Sequence, residues 1–368
     1  MKIITYTLAG ALLLTGCQAD GSSESSNNPE ENNSVNTQEE NQLEENEELE
    51  EEKESVAVHN TEEFENQLIA IEDLVNIIDG NYEYDSLDKT LNMQAAGRTF
   101  YMVENVPVLE INGQYQPYDD ILLTFVDDEP YVTPAFIEKG LEKEVSIEDN
   151  QAMFTWGENE DLQEINNDTE LQEMSPEDMI DFLSFLERPI EGASVSTVES
   201  HLPGAPRDYR NGEHEGIDYY DYSSGVEITT ETPIFGMGEG EVVRVDHDFE
   251  DYASHEERNE ELALAEEVGF TPEYILDRLR GQQVWIQYDK GIMIRFAHLD
   301  SIPEEIELGQ QVDEETVIGY VGNTGTSGAL DGDDSGLHLH KDLLVNGELF
   351  WDPFTLEETA PILQELWP

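Results

Sequence analysis

The sequence predicts a mainly β C-terminal domain of antiparallel sheets, carrying a helical insertion and preceded by a small α+β domain. Three observations support this. Leu and His alternate through Leu337-His338-Leu339-His340, which is the period of a strand. Two helix-like stretches, about 255–268 and 272–280, interrupt strand-like sequence within residues 249–280. Before about residue 190, an amphipathic helical pattern is followed by short strand-like runs and a second helix signal.

At the N-terminus, Lys2 supplies a minimal positive charge, and residues 3–14 are apolar but too short to span a bilayer as a helix. Leu14-Thr15-Gly16-Cys17 follows at once. It resembles the lipobox of bacterial lipoproteins, which implies a signal peptide over 1–17 and lipidation of Cys17. The expected location is extracytoplasmic: anchored in the lipid bilayer at the outer face of the cell membrane, facing the cell wall. Several acyl chains on one residue hold stably where a single chain does not. Cys17 is the only cysteine, so disulfides within the chain are excluded.

Residues 18–60 are Asn, Ser, Gln and Glu with few apolar side chains, and 43–54 is nearly all acid. Such a segment buries too little surface to offset chain entropy, so a disordered, self-repelling and extended linker is predicted. The whole chain carries a formal charge of −70, from 86 acidic against 16 basic residues. Phosphate neutralisation needs Lys and Arg, so a nucleic-acid partner is excluded. Because the acid excess runs along the whole chain, it reads as adaptation to a salty or alkaline medium.

Residues 61–190 read as the small α+β domain. Phe64, Leu68, Ile71, Val75 and Ile78 alternate spacings of four and three, predicting a helix that Gly80 caps. Strand-like runs follow at 90–93, 99–103, 108–111 and 121–125, with Asn112-Gly113 as a hairpin turn between two of them. Ser175-Pro176-Glu177-Asp178 opens a further helix with Met179, Phe182, Leu183 and Leu186 on one face. This region has no cluster of catalytic residue types.

The chemistry lies beyond residue 210. Four of the eight histidines fall in three local motifs: His214-Glu215-Gly216-Ile217-Asp218, Phe296-Ala297-His298-Leu299, and Gly336-Leu337-His338-Leu339-His340. On a strand, His338 and His340 project to one face while Leu337 and Leu339 enter the core. His214 and Asp218 flank a glycine and are placed to converge on the same point. Two imidazoles and a carboxylate with one open position form a catalytic zinc pattern, and a four-cysteine site is ruled out.

Residues 191–368, and within them 202–353, resemble the lysostaphin-like, LytM-type zinc metallopeptidases. The resemblance rests on "RNGEHEGID" at 210–218, "TPIFGMGEGEVV" at 232–243, "RFAHL" at 295–299, the Gly-rich segment 309–328, "HLH" at 338–340, and Asn346-Gly347 with Asp352-Pro353. It implies a duplicated-hybrid-motif sheet fold with one Zn2+ per chain, held by His214, Asp218 and His340. His298 and His338 would act on water and on the transition state, with the sharing of protons between them left open. The implied activity is hydrolysis of peptide bonds in peptidoglycan, in stem peptides or cross-bridges. Lys341 and Asp342 depart from the family's common Phe and Glu, "GALDGDDSGL" is longer than usual, and 249–280 is inserted. The insertion is either decoration or a wall of the groove.

Two competing readings are a catalytically inactive wall-binding or hydrolase-activating lipoprotein, and a protease of secreted proteins. The inactive kind usually lacks ligands that are all present here. His59, His201, His247 and His255 have no motif context and read as surface or loop residues, while Tyr219, Tyr220 and Tyr222 read as packing. Asp331, Asp333 and Asp334 lack the distal Glu of a calcium loop and read as solvated charge.

Self-repulsion among 86 acids predicts that salt stabilises the fold. Thermal melts should rise by several degrees as NaCl is added; a flat melting temperature removes the halophilic reading.

Overall fold

The computed structural model describes residues 53–60, 67–157, 162, 169 and 171–368. Cys17, the signal peptide at 1–17, Phe64 and the linker up to residue 52 lie outside the described residues. The end of the expected linker is a correction. Lys53–Ala57 is a strand paired antiparallel with Gln151–Thr155, and Val56 and Val58 are buried. Two valines on an alternating pattern are enough to recruit this acidic segment to a sheet.

The sequence places the first helix seven residues too early. The helix is Ile71–Ile78, and Leu68 sits instead on strand Gln67–Ala70. Its end is also different: Asp79 takes the left-handed conformation at φ 52°, and the Gly80 N–H bonds the Val75 carbonyl at 2.9 Å. A five-stranded meander follows: Asn81–Asp85, Thr90–Ala95, Arg98–Val103, Leu109–Ile111 and Gln114–Gln116. Asn112-Gly113 does make a tight turn, at φ 50° and 80°, but to the short strand Gln114–Gln116 and not to the run at 121–125.

Helix Pro176–Leu183 forms as predicted, with Ser175 and Asp178 in a reciprocal capping box. Sequence placed it in the first domain. Its Met179 and Leu183 instead bury in the same core as Ile362, Leu363 and Trp367 of the C-terminal region. Covering the apolar face of the C-terminal helix Leu356–Leu366 decides its allegiance.

The C-terminal region is a mostly antiparallel sheet structure. Its main sheet runs Ile217–Tyr219, Leu339–Val345, Ile292–Ala297, Val284–Tyr288, Gly240–Val245, Gln311–Val312. A smaller sheet joins Pro233–Phe235, Val317–Val321 and Leu299–Ser301. The segment at 232–243 is therefore not a paired hairpin, because its two strands enter different sheets. The insertion holds helices His255–Val268 and Glu273–Leu279, between two strands that are themselves neighbours.

Alternation along Leu339–Val345 gives the main sheet two distinct faces. Lys341, Leu343 and Val345 turn to the core under the terminal helix. Leu344 turns the other way, joining Met293, Trp285 and Val243 in an apolar cluster with Val106, Val108 and Tyr115 of the first region. There the two Asn-Gly turns meet: a side chain on Gly113 would stand 2.3 Å from the Asn346 carbonyl oxygen.

Lys341 is fully buried, with Nζ 3.6 Å from the Trp367 ring centroid and 3.4 Å from Met237 Sδ. Burial pushes its ammonium well below the ordinary lysine value. Lys341→Met keeps the shape and removes that desolvation, so unfolding in urea should show a gain of about 1–3 kcal/mol. A lower midpoint would mean that the amine stabilises the core.

Candidate metal centre

Four histidines and one aspartate of the sequence motifs meet in one place. Asp218 and His340 are directly opposed across the first strand pair of the main sheet, and Ala297 opposes His340 from the other side. The cross-strand register alone therefore sets Asp218 beside His340. His214 arrives on the turn before Ile217–Tyr219, pinned by its N–H to the Ala205 carbonyl and its carbonyl to the Gly204 N–H, both at 2.8 Å. Gly216 makes this possible, since a Cβ there would lie 2.3 Å from the Lys341 carbonyl oxygen.

The three donor atoms converge. His214 Nε2 is 2.9 Å from Asp218 Oδ1, His340 Nδ1 is 2.9 Å from the same oxygen, and the two nitrogens are 3.1 Å apart. The opposite ring nitrogens define the tautomers. His214 Nδ1 donates to the Leu202 carbonyl at 3.0 Å, and His340 Nε2 donates to Asp342 Oδ1 at 2.5 Å. In the neutral rings both inward nitrogens therefore carry lone pairs, facing each other and a carboxylate. Two lone pairs and a carboxylate oxygen at this spacing call for a cation. Tetrahedral Zn–N bonds of about 2.0–2.1 Å set donors about 3.3 Å apart, close to what is observed. The donor set fits zinc.

The electrostatics agree. Burial opposes charge on His340, but Asp342 and the bond to Asp218 outweigh it and push the ring up to about 9. Burial likewise disfavours the Asp218 carboxylate, yet His214 and His338 hold it well below the usual range. The same negative surroundings favour a cation at the point where the three donors meet.

His298 and His338 stand over the open side, ring centroids 4.6 Å apart. His338 precedes the strand and pairs with Gly322 as a lone bridge. His298 interrupts what sequence reads as one continuous strand at 295–299: it adopts φ 58°, between Ile292–Ala297 and Leu299–Ser301. A left-handed histidine is unusual and costs about 1–3 kcal/mol. Its N–H on the Arg280 carbonyl at 2.8 Å holds it there. Both rings are oriented from behind, His298 Nδ1 by the Thr324 carbonyl at 2.7 Å and His338 Nδ1 by that of Gly336 at 2.6 Å. Burial, then the neighbouring imidazoles, hold His298 well below its ordinary value and so neutral.

Several participants were not visible in the motifs. Asp342, fully buried, accepts from His340 and from Arg280 Nε at 2.8 Å, with Arg295 Nη1 at 3.7 Å. Arg295 Nη2 reaches the Tyr115 hydroxyl of the first region at 3.2 Å. Only the i, i+2 spacing from His340 hinted at Asp342. His201, read as a loop residue, is buried beside Ser196 and Tyr222 and lines the groove. The tyrosines divide: Tyr219 is core, but Tyr220 stacks on His338 with centroids 4.4 Å apart, and Tyr222 lines the groove. His247, His255 and His59 take no part: they bond the Ile306 carbonyl, pair with Asp331, and pack on Tyr131. The groove holds about 680 Å³ and is lined by residues between 200 and 340, so no described residue of the first region contributes to it.

Asp342→Asn keeps the volume but weakens the acceptor that orients His340. Zinc affinity, measured by chelator competition, should fall about 10–100-fold. An unchanged affinity would show that Asp342 serves folding alone.

A model described as peptidase family M23 matches residues 266–350. That span holds His298, His338 and His340, to which the fold adds His214 and Asp218. No curated protein matches the chain significantly. Among solved structures, a zinc-containing peptidase from Vibrio cholerae is similar at 12% identity, over 71% of this chain and 48% of its own, with a TM-score of 0.28. Csd3 from Helicobacter pylori is similar at 13% identity, over 71% of this chain and 42% of its own, with a TM-score of 0.26. The catalytic domain of the antimicrobial peptidase lysostaphin from Staphylococcus simulans is similar at 18% identity, over 45% of this chain and 88% of that domain, with a TM-score of 0.26. The chain spans about half the length of the first two. Residues 266–350 of this chain carry a peptidase family M23 domain.

Proposed function

We propose that the protein is a zinc-dependent endopeptidase that hydrolyses peptide bonds of peptidoglycan, tethered to the outer face of the membrane through Cys17. The observation that carries the catalytic part is the inward lone-pair set of His214, Asp218 and His340, with two further imidazoles over its open side. His214 Nε2, Asp218 Oδ1 and His340 Nδ1 would hold the zinc. Bound zinc supplies Lewis acidity, which acidifies water and polarises a carbonyl.

The chain's own residues supply the proton traffic. His298 and His338 each commit Nδ1–H to a backbone carbonyl, so each neutral ring keeps its lone pair on Nε2, which in His338 lies 3.5 Å from Asp218 Oδ1 at the centre. Both are set to accept a proton from water. For either ring to act on the transition state the tautomer adds a condition: Nε2 donates to a developing oxyanion only after that ring has been protonated. Whichever imidazole takes the proton becomes the donor, first to the oxyanion and then to the leaving amine. The Tyr220 ring, stacked on His338, restricts that imidazole to one plane.

The wall as substrate is supported by the resemblance and by the lipobox at Cys17. The acidic segment after Cys17 would give the domain reach toward the wall. His340→Ala should abolish zinc binding and hydrolysis together. His298→Ala should retain zinc and lose about 100-fold or more of kcat on purified muropeptides. Stoichiometric zinc without cleavage of any muropeptide by the unmodified protein would leave the binding or hydrolase-activating role standing instead.

A further inference from the structure

The groove inverts the charge balance of the chain. Among the described residues of this strongly acidic chain, four basic ones line it, Arg207, Arg210, Arg258 and Arg280, against three acidic ones, Asp208, Glu215 and Asp218. Three of these arginines already have carboxylates. Arg207 lies 3.3 Å from Asp218 Oδ2, Arg210 2.6 Å from Glu215 Oε2, and Arg280 2.8 Å from Asp342 Oδ2.

Arg258 has none among the described residues. It projects from insertion helix His255–Val268 into the groove wall, half-buried, and its Nε donates to the Gly325 carbonyl at 3.1 Å. That bond orients the guanidinium and leaves both Nη groups without a described partner. A half-buried guanidinium without an acid partner, in a chain so rich in acids, is conspicuous. The open edge of its fork has the shape that receives a carboxylate through two parallel bonds.

The attachment point is rigid and close to the chemistry. Gly325 follows Thr324, whose carbonyl orients His298. The Gly325 N–H donates to Asp251 Oδ2 at 3.0 Å, and its φ of +76° leaves a Cβ only 2.4 Å from the Leu279 carbonyl oxygen. Asp251 before the first insertion helix and Leu279 at the end of the second thus clamp the turn that accepts the Arg258 bond and backs His298. On the opposite rim, Asn211 Nδ2 donates to the Ala265 carbonyl at 3.2 Å, and Thr271 Oγ1 donates to the Arg210 carbonyl at 2.7 Å. The insertion therefore links the two rims of the groove.

We propose that Arg258 selects the substrate of this groove by binding a free carboxylate of the peptide beside the scissile bond. The preferred ligand is then an acidic peptide and not a neutral glycine chain. The cleavage part rests on the peptidase reading; the binding preference does not.

The test uses the zinc-loaded full chain and muropeptides with their carboxyls either free or converted to carboxamides. The free form should be cut with a kcat/KM about tenfold higher, a ratio that falls as NaCl is raised. Arg258→Gln should collapse the ratio to about one with zinc content retained, and Arg258→Lys should recover part of it. A ratio near one in the unmodified protein, or one that survives Arg258→Gln, overturns the proposal. If neither peptide is cut, calorimetric Kd values for the same pair decide. Tenfold tighter binding of the free form, lost in Arg258→Gln, supports the carboxylate site and counts only against hydrolysis. Equal binding overturns it.

Discussion

A carboxylate sealed from water, Asp342, is the constraint around which the centre is arranged. Burial alone would neutralise it, but the His340 imidazole and the Arg280 guanidinium outweigh that penalty and keep it ionised. Such a cluster holds together only if complete, since removing one partner of a buried charge pair typically costs about 3–5 kcal/mol. The same bonds that satisfy Asp342 fix the His340 tautomer, turning its Nδ1 lone pair toward Asp218 and His214. Stability and chemistry thus share one oxygen pair. The Arg280 backbone carbonyl also holds the strained His298, so the ends of the charge cluster support both the ligand side and the proton-transfer side.

The two faces of strand Leu339–Val345 explain why Lys341 and Asp342 are compatible with the centre despite departing from the related sequences. Asp342 shares a face with His340 and becomes its partner. Lys341 points the opposite way, against Trp367, and leaves the ligands undisturbed. Further along the first face, Leu344 meets the apolar surface of the first region. Through Tyr115 and Arg295 that region also reaches the Asp342 cluster. It therefore buttresses the back of the centre, and none of its described residues lines the groove.

The extreme acidity of the chain and the local balance of the groove serve different ends. Exposed carboxylates keep a molecule solvated and apart from its neighbours. Inside the groove, arginines are matched nearly one to one with acids, and a metal ion would add further positive charge. The insertion contributes to this wall with Arg258 and links its rims, so the choice between decoration and groove wall falls toward the wall.

The five residues that the structure brings together were legible in the sequence as His-x-Gly-x-Asp, an isolated His and His-x-His; strand alternation put His338 and His340 on one face, and the family resemblance implied that the five belong to one centre. Sequence by itself also determined the capped helix at Pro176–Leu183, both insertion helices and the two Asn-Gly turns. Tertiary structure decided the rest. Whether Leu68 is helical or extended depended on its strand being paired on both sides, by His59 opposite Leu68 and by Tyr131 and Val132 opposite Ala70 and Ile69, and the allegiance of Pro176–Leu183 depended on which apolar face needed covering. His201, Tyr220 and Arg258 carry no motif and gain a role only from what stands opposite them. The tautomers of the histidines were likewise beyond sequence: those of His214 and His298 are set by carbonyls distant along the chain, at Leu202 and Thr324, and those of His338 and His340 by acceptors two residues away, Gly336 and Asp342, whose direction the backbone path fixes.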